Sequence, residues 1–187
     1  MEAAVQTTDA APIRYAVIRC HLGHLLVAAT PRGVRAVTFG ASPEALEEAL
    51  RHDFPGAPLE RDDGDELRSL CERVAAHAAD GRSAADVPID PRGTDFQRRV
   101  WDELRSIPAG ETRTYREVAA ACGRPEAVRA VARACATNRV GLLIPCHRVV
   151  RTDGGLAGYR WGVDRKRALL EGEAALAGAA PAEPLAA

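Results

Sequence analysis

Residues 114–138 read "TYREVAAACGRPEAVRAVARACATN", and this stretch decides the architecture of the C-terminal half. Thr114-Tyr115-Arg116-Glu117 has the spacing of a capping box, a hydroxyl at the helix start and a carboxylate three residues on. A helix therefore opens here, with Val118, Ala119 and Ala121 as its small apolar residues. "CGRP" (122–125) is a tight turn in which Gly123 can take positive φ. Pro125 suits the first turn of a second helix running to about Ala136. Helix, short glycine turn, helix is the shape of a helix-turn-helix, although paired helices are also common without a nucleic-acid role. On the second helix Arg129 and Arg133 are four apart and share a face. Ala127, Ala130, Ala132 and Ala134 surround them. A face cut back to methyl groups lets a backbone approach another molecule closely. An ordinary amphipathic helix packed through Val128 and Val131 is the simpler reading, and both can hold.

Working outward, Thr94-Asp95-Phe96-Gln97 is another capping box, opening a helix with Phe96, Val100, Trp101 and Leu104 on one face. Before it, "SAADVPIDPRG" (83–93) has no period and two prolines, and reads as a linker. The N-terminal part differs in kind. "IRYAVIRC" (13–20), "HLLVAAT" (24–30) and "VRAVTFG" (34–40) are rich in β-branched residues and joined by short turns, which predicts an antiparallel meander. Ser42-Pro43 caps a helix to about His52, "FPGAP" breaks it, and a second helix follows over 62–81. The fold class expected is α+β. It has an N-terminal α/β domain (12–91) with a three-stranded antiparallel sheet, a C-terminal helical domain (92–175) carrying the helix-turn-helix, and a disordered tail (176–187).

The chain has 187 residues, 47% hydrophobic and 27% charged, the balance of a soluble globular protein. No run of about eighteen apolar residues occurs, so no transmembrane helix is expected. The opening "MEAAVQTTDAAP" has no basic and apolar regions of a secretory signal. Five cysteines with no CxxC pair point to reduced thiols and a cytoplasmic location. Cys20-His21 with His24 lacks a second ligand pair at zinc-finger spacing, so neither metal nor cofactor is expected. Charge is divided unevenly. Residues 1–91 carry nine arginines against fifteen acids, whereas 92–168 carry sixteen Arg or Lys against eight acids. A basic block of that size favours a polyanion partner over an Arg-rich solvated face.

"LLIPCHRVV" (142–150) carries the candidate chemistry. A thiol reacts as its thiolate, and a nearby imidazole is a common way to form one. Cys is also often a buried space-filler. Adjacent Cys146 and His147 cannot point into one pocket from a regular strand. Cooperation between them requires irregular backbone or a bridging water.

"IPCHRVV", preceded by "RAVARACATN" and followed by "GGLAGYRWGVDRKRALLEGE", resembles the methylated-DNA–protein-cysteine methyltransferases, the O6-alkylguanine-DNA alkyltransferases. It is most similar to the alkyltransferase half of their two-part bacterial members. "RGTDFQRRVW" and "IPAGETRTYREVA" belong to the same pattern, and the resemblance spans residues 13–173. It implies an RNase H-like N-terminal domain and a second helix, of the pair at 114–136, that enters the DNA minor groove. It implies Cys146 as alkyl acceptor, His147 as its base through a water, Glu173 as the group orienting the imidazole, and Asn138 as the brace of the active-site turn. Tyr115 would polarise the flipped base, Arg129 would fill the gap it leaves, and Tyr159 and Arg160 would lie in the loop over it. The implied partner is double-stranded DNA carrying O6-alkylguanine, with O4-alkylthymine a second substrate. No membrane or obligate protein partner is expected, and the protein should be a monomer.

The resemblance does not extend to the cysteine-rich zinc module and additional helix-turn-helix of the two-part members, so by itself it implies neither phosphotriester repair nor transcription activation. Two other classes remain in view: a lesion sensor without catalysis, which an intact PCHR argues against, and a cysteine hydrolase, which leaves the basic half unexplained.

Overall fold

The computed structural model describes residues 11–178. Strands β1 (Ile13–Cys20), β2 (Gly23–Thr30) and β3 (Gly33–Gly40) form the expected antiparallel meander. Along β2 the alternation is buried on both sides. Leu25 and Val27 join one hydrophobic cluster and Leu26 and Ala28 the other, as the two-residue period of a strand requires. One face is covered by helix α1 (Pro43–Asp53) through Leu46 and Leu50, with Ser42 as its cap. The opposite face packs on helix α2 (Asp65–Asp80) through Leu67, Cys71 and Val74.

The three-stranded sheet needs correction to four. Strand β4 (Leu59–Arg61) pairs parallel to β1, giving the order β3-β2-β1-β4. The segment read as a linker also takes part. Val34 donates to the Pro88 carbonyl and Asp90 donates back to the Val34 carbonyl, so the chain runs beside β3. Buried Arg35 holds this segment through Asp90 at 2.9 Å.

Helix α3 (Asp95–Arg105) has both halves of its capping box, Thr94 and Gln97. Strand β5 (Arg113–Thr114) precedes helix α4 (Tyr115–Ala121), whose capping box from Thr114 and Glu117 also forms. Gly123 takes φ +72° in the turn. Helix α5 (Val128–Ala136) starts later than expected: residues 124–127 form a separate turn, and Pro125 precedes the helix. A 3-10 turn (Cys146–Arg148) leads into β6 (Val149–Val150), which pairs parallel to β5. Helix α6 (Val163–Ala177) closes the described chain, so residues 176 and 177, assigned to the tail by sequence, are helical. The rest of the tail, from 179, and residues 1–10 lie outside the described residues.

One buried cluster is continuous from the sheet (Val27, Val37, Phe39) through α3 (Val100, Trp101) and α5 (Val131) to Cys146 and Leu169. Among the described residues, no helix is long and apolar enough to cross a membrane.

Candidate active site

Cys146 begins the 3-10 turn, and Pro145 before it has no N–H to satisfy. In this irregular backbone Cys146 and His147 are both buried. Asn138, fully buried, holds the turn from below. Its Oδ1 accepts from Val140 N at 2.9 Å, and its Nδ2 donates to the Ile144 carbonyl at 2.9 Å and faces Cys146 Sγ at 3.4 Å.

His147 Nε2 lies 3.0 Å from Glu173 Oε1 of α6. A carboxylate only accepts, so Nε2 carries the proton and Nδ1 presents its lone pair. Nδ1 is buried with no hydrogen-bond partner among the described residues. The Tyr159 hydroxyl is also buried and unpartnered, and its ring packs edge-on against His147 with centroids 6.4 Å apart. Both polar atoms are buried without a protein partner, and each can exchange a hydrogen bond with a ligand or water. Tyr115 reaches the same region because β5 pairs with β6, directly after the Cys146 turn.

Two site residues escaped sequence reasoning. Arg148 is buried and donates to Glu173 through Nε (2.9 Å) and Nη2 (2.7 Å), and to the Ile107 carbonyl at 2.6 Å. Glu173 also accepts from Gly110 N at 3.2 Å. Gly81 ends α2 in the left-handed conformation, and a Cβ there would stand 2.8 Å from Glu173 Oε1 and 2.9 Å from Arg148 Nη2. The glycine is therefore needed both for its φ and for the close approach. Lys166, the sole lysine, is fully buried, and its ammonium bridges the carbonyls of Val149 and Leu156.

The electrostatics describe a resting site with its proton still on sulfur. Burial pushes the Cys146 thiol up, against the Asn138 amide, Lys166 and Arg160, which favour the thiolate. Burial likewise pushes the His147 imidazole down, although Glu173 opposes this. Thiol and neutral imidazole are therefore the resting forms, and a preformed thiolate–imidazolium pair is disfavoured. Burial alone would raise Glu173, but hydrogen bonds from His147 and Arg148 outweigh it and hold the carboxyl at about 2. Burial and the nearby thiols push Tyr115 up to about 12, which keeps its hydroxyl a donor.

Arg129 and Arg133 are exposed on α5, beside exposed Ala130, Ala132 and Ala136, while Val131, Ala134 and Cys135 are buried. Neither arginine pairs with a carboxylate among the described residues. The helix thus packs by one face and presents a low, cationic other face, as both sequence readings allowed. Arg160 is tied to Asp53. A cavity of about 390 Å³ lies elsewhere, lined by Ile13, Thr30, Arg32, Arg35, Phe54 and Arg92.

The chain that carries this site has relatives among known proteins. Residues 95–175 match the family model described as 6-O-methylguanine DNA methyltransferase, DNA binding domain. The methylated-DNA–protein-cysteine methyltransferase of Methanosarcina barkeri is 36% identical over 157 residues, covering 84% of this chain and 94% of the relative. The chain belongs to the methylated-DNA–protein-cysteine methyltransferase family. It is also 47% identical over 162 residues to the bifunctional transcriptional activator/DNA repair enzyme Ada of Escherichia coli, covering 87% of this chain. It spans about half the length of that relative and of the Salmonella regulatory protein ada (46% and 47%). Among solved structures, Mycobacterium tuberculosis OGT in complex with DNA superposes with a TM-score of 0.71 at 34% identity, covering 87% of this chain and 94% of the other.

Proposed function

We propose that this protein repairs DNA by direct reversal, moving a methyl or other alkyl group from O6-alkylguanine, and from O4-alkylthymine, to Cys146. The observation that carries the reading is the buried relay of Asn138, Cys146, His147 and Glu173 with its open Nδ1. In this reading the α4–α5 pair acts as a helix-turn-helix on double-stranded DNA, and the damaged nucleotide is flipped out to reach the thiol. As the base docks, the Cys146 proton passes through a water to His147 Nδ1, and the sulfur attacks the alkyl carbon. The carbon–oxygen bond breaks, and Tyr115 offsets the charge left on the departing guanine. Tyr159 and Arg160 lie in the loop over the base. The parallel fourth strand at the end of the meander supports an RNase H-like N-terminal domain, with residues 12–91 a scaffold for 92–175. The protein would act as a cytoplasmic monomer. Incubation with O6-methylguanine duplex and peptide mapping of the methyl group tests the proposal.

Arg129→Ala is expected to slow repair in duplex DNA about tenfold or more, since filling the flipped-out gap offsets a few kcal/mol. Its rate with free O6-methylguanine should stay within about twofold, because no flipping is involved. Equal losses on both substrates would assign Arg129 to folding or chemistry.

Binding to undamaged duplex is expected to weaken linearly in log affinity against log salt, at about 0.9 per phosphate neutralised. Arg129→Ala and Arg133→Ala should each lower that slope by roughly one. A slope unchanged in both variants would remove the α5 face from the interface.

A further inference from the structure

Asp53 is the last residue of α1, an acid where a helix terminus is already negative and where Arg51 and His52 precede it. The position is unfavourable for a carboxylate unless something else holds it. That something comes from the basic half. Oδ2 accepts from Arg160 Nη2, and Oδ1 lies 3.4 Å from Arg139 Nε, an ion pair without hydrogen-bond alignment. The Arg139 guanidinium also stacks over Phe54, 5.4 Å from its centroid. Asp53 itself is only 14% exposed. The two arginines are adjacent to site residues: Arg139 follows Asn138, and Arg160 follows Tyr159. One carboxylate therefore ties together the two segments that flank Cys146. The same loop is held to the sheet by Trp161 Nε1 donating to Thr38 Oγ1 (2.7 Å), and helix α6 just after it is held to the β1–β2 turn by Arg165 Nε donating to the Leu22 carbonyl (2.9 Å).

We infer that Asp53 is a positioning residue. By pairing with Arg160 and Arg139 it sets the spacing between the Asn138 and Tyr159 segments, and so the room beside Cys146 for an alkylated base. The inference rests on the alkyl-transfer reading of Cys146, and it assigns the N-terminal domain a part in selecting adducts by size. A loop freed from Asp53 holds Tyr159 less closely against His147. A small alkyl group then loses alignment, while a bulky one gains room.

Asp53→Asn keeps the shape and removes the charge, Asp53→Ala removes both, and Asp53→Glu keeps the charge. Single-turnover rates should be measured on duplexes carrying O6-methylguanine and O6-benzylguanine. Asn and Ala should lower the maximal methyl rate about fivefold and shift the methyl-to-benzyl ratio at least about fivefold toward benzyl. The half-saturating DNA concentration should stay within about twofold, and Glu should restore the wild-type ratio. Equal losses on both adducts would reduce Asp53 to a structural residue and overturn the inference. Hydrogen exchange of amides 157–162 in the free protein reads the same restraint without any chemistry. It should quicken about fivefold in Asn and Ala, and unchanged exchange also overturns the inference. Failure of the wild-type protein to alkylate would instead sink the alkyl-transfer reading, with exchange still reporting on Asp53.

Discussion

Each protein molecule is expected to accept one alkyl group on Cys146 and then be spent. An acyl-cysteine has a carbonyl that water can attack, but a methylated cysteine is a thioether with a poor leaving group. The other thiols lack a comparable setting. Cys71 is buried and pushed up to about 11, burial drives Cys135 higher still, and burial also raises half-buried Cys20 and Cys122. Burial raises Cys146 too, but Cys146 alone has the Asn138 amide on its sulfur and the open Nδ1 of its neighbour. Intact-mass measurement with excess O6-methylguanine duplex should show a single added methyl, mapped to Cys146. Cys146→Ser should abolish the added mass and retain binding of the damaged duplex, because a serine hydroxyl is far harder to ionise. Many lesions repaired per protein, or a methyl mapped to another cysteine, would overturn the assignment.

The same thiol should be sluggish toward small alkylating reagents at neutral pH, since the resting site keeps its proton on sulfur. This differs from a preformed thiolate, which the adjacency of Cys146 and His147 in sequence invites one to assume. Motif resemblance names the side chains but not how dry their surroundings are, and dryness decides the direction of both shifts.

Legibility followed the range of the interaction. The capping boxes at Thr94 and Thr114, the glycine turn at Gly123 and the meander are local rules, and each formed where its residues stand. Strand β4 was not legible because three residues, Leu-Glu-Arg, show no alternation, and only pairing with distant β1 makes them a strand. The late start of α5 comes from residues 124–127 closing a turn of their own, in which Ala127 N bonds to the Arg124 carbonyl. Lys166 sits in "DRKRALL", which reads as a solvated basic run, and nothing local marks one of its cations as buried. Arg148 reads as part of the basic block, yet its charge is consumed inside by Glu173. The proposed roles of Cys146, His147, Asn138 and Glu173 came from motif resemblance. Tertiary geometry adds their hydrogen bonds and the second arm, through Arg148, that fixes Glu173.

That second arm makes Glu173→Gln the variant with the other large effect, and on two readouts. On stability, Glu173 is held at about 2, below its ordinary 4.5, so the charged form is favoured by the fold. A lowered carboxyl pKa stabilises above 4.5 and loses that stabilisation as pH falls from 4.5 through about 2. The full difference corresponds to roughly 3 kcal/mol. Glutamine also leaves the Arg148 guanidinium buried opposite a neutral amide, a loss of about 3–5 kcal/mol when one partner of a buried pair is removed. Thermal unfolding at pH 7 should therefore shift downward in the variant, and the gap between the two proteins should narrow as pH approaches 2. On chemistry, Glu173 raises the His147 pKa, so its loss makes Nδ1 a weaker acceptor for the Cys146 proton. The apparent pKa of alkyl transfer should rise and the rate at neutral pH should fall, while binding of undamaged duplex at a temperature where both proteins are folded stays within about twofold. The two readouts separate the roles. A drop in stability with an unchanged pH–rate profile would leave Glu173 as an anchor for Arg148 alone, and the His147 relay would lose its third member.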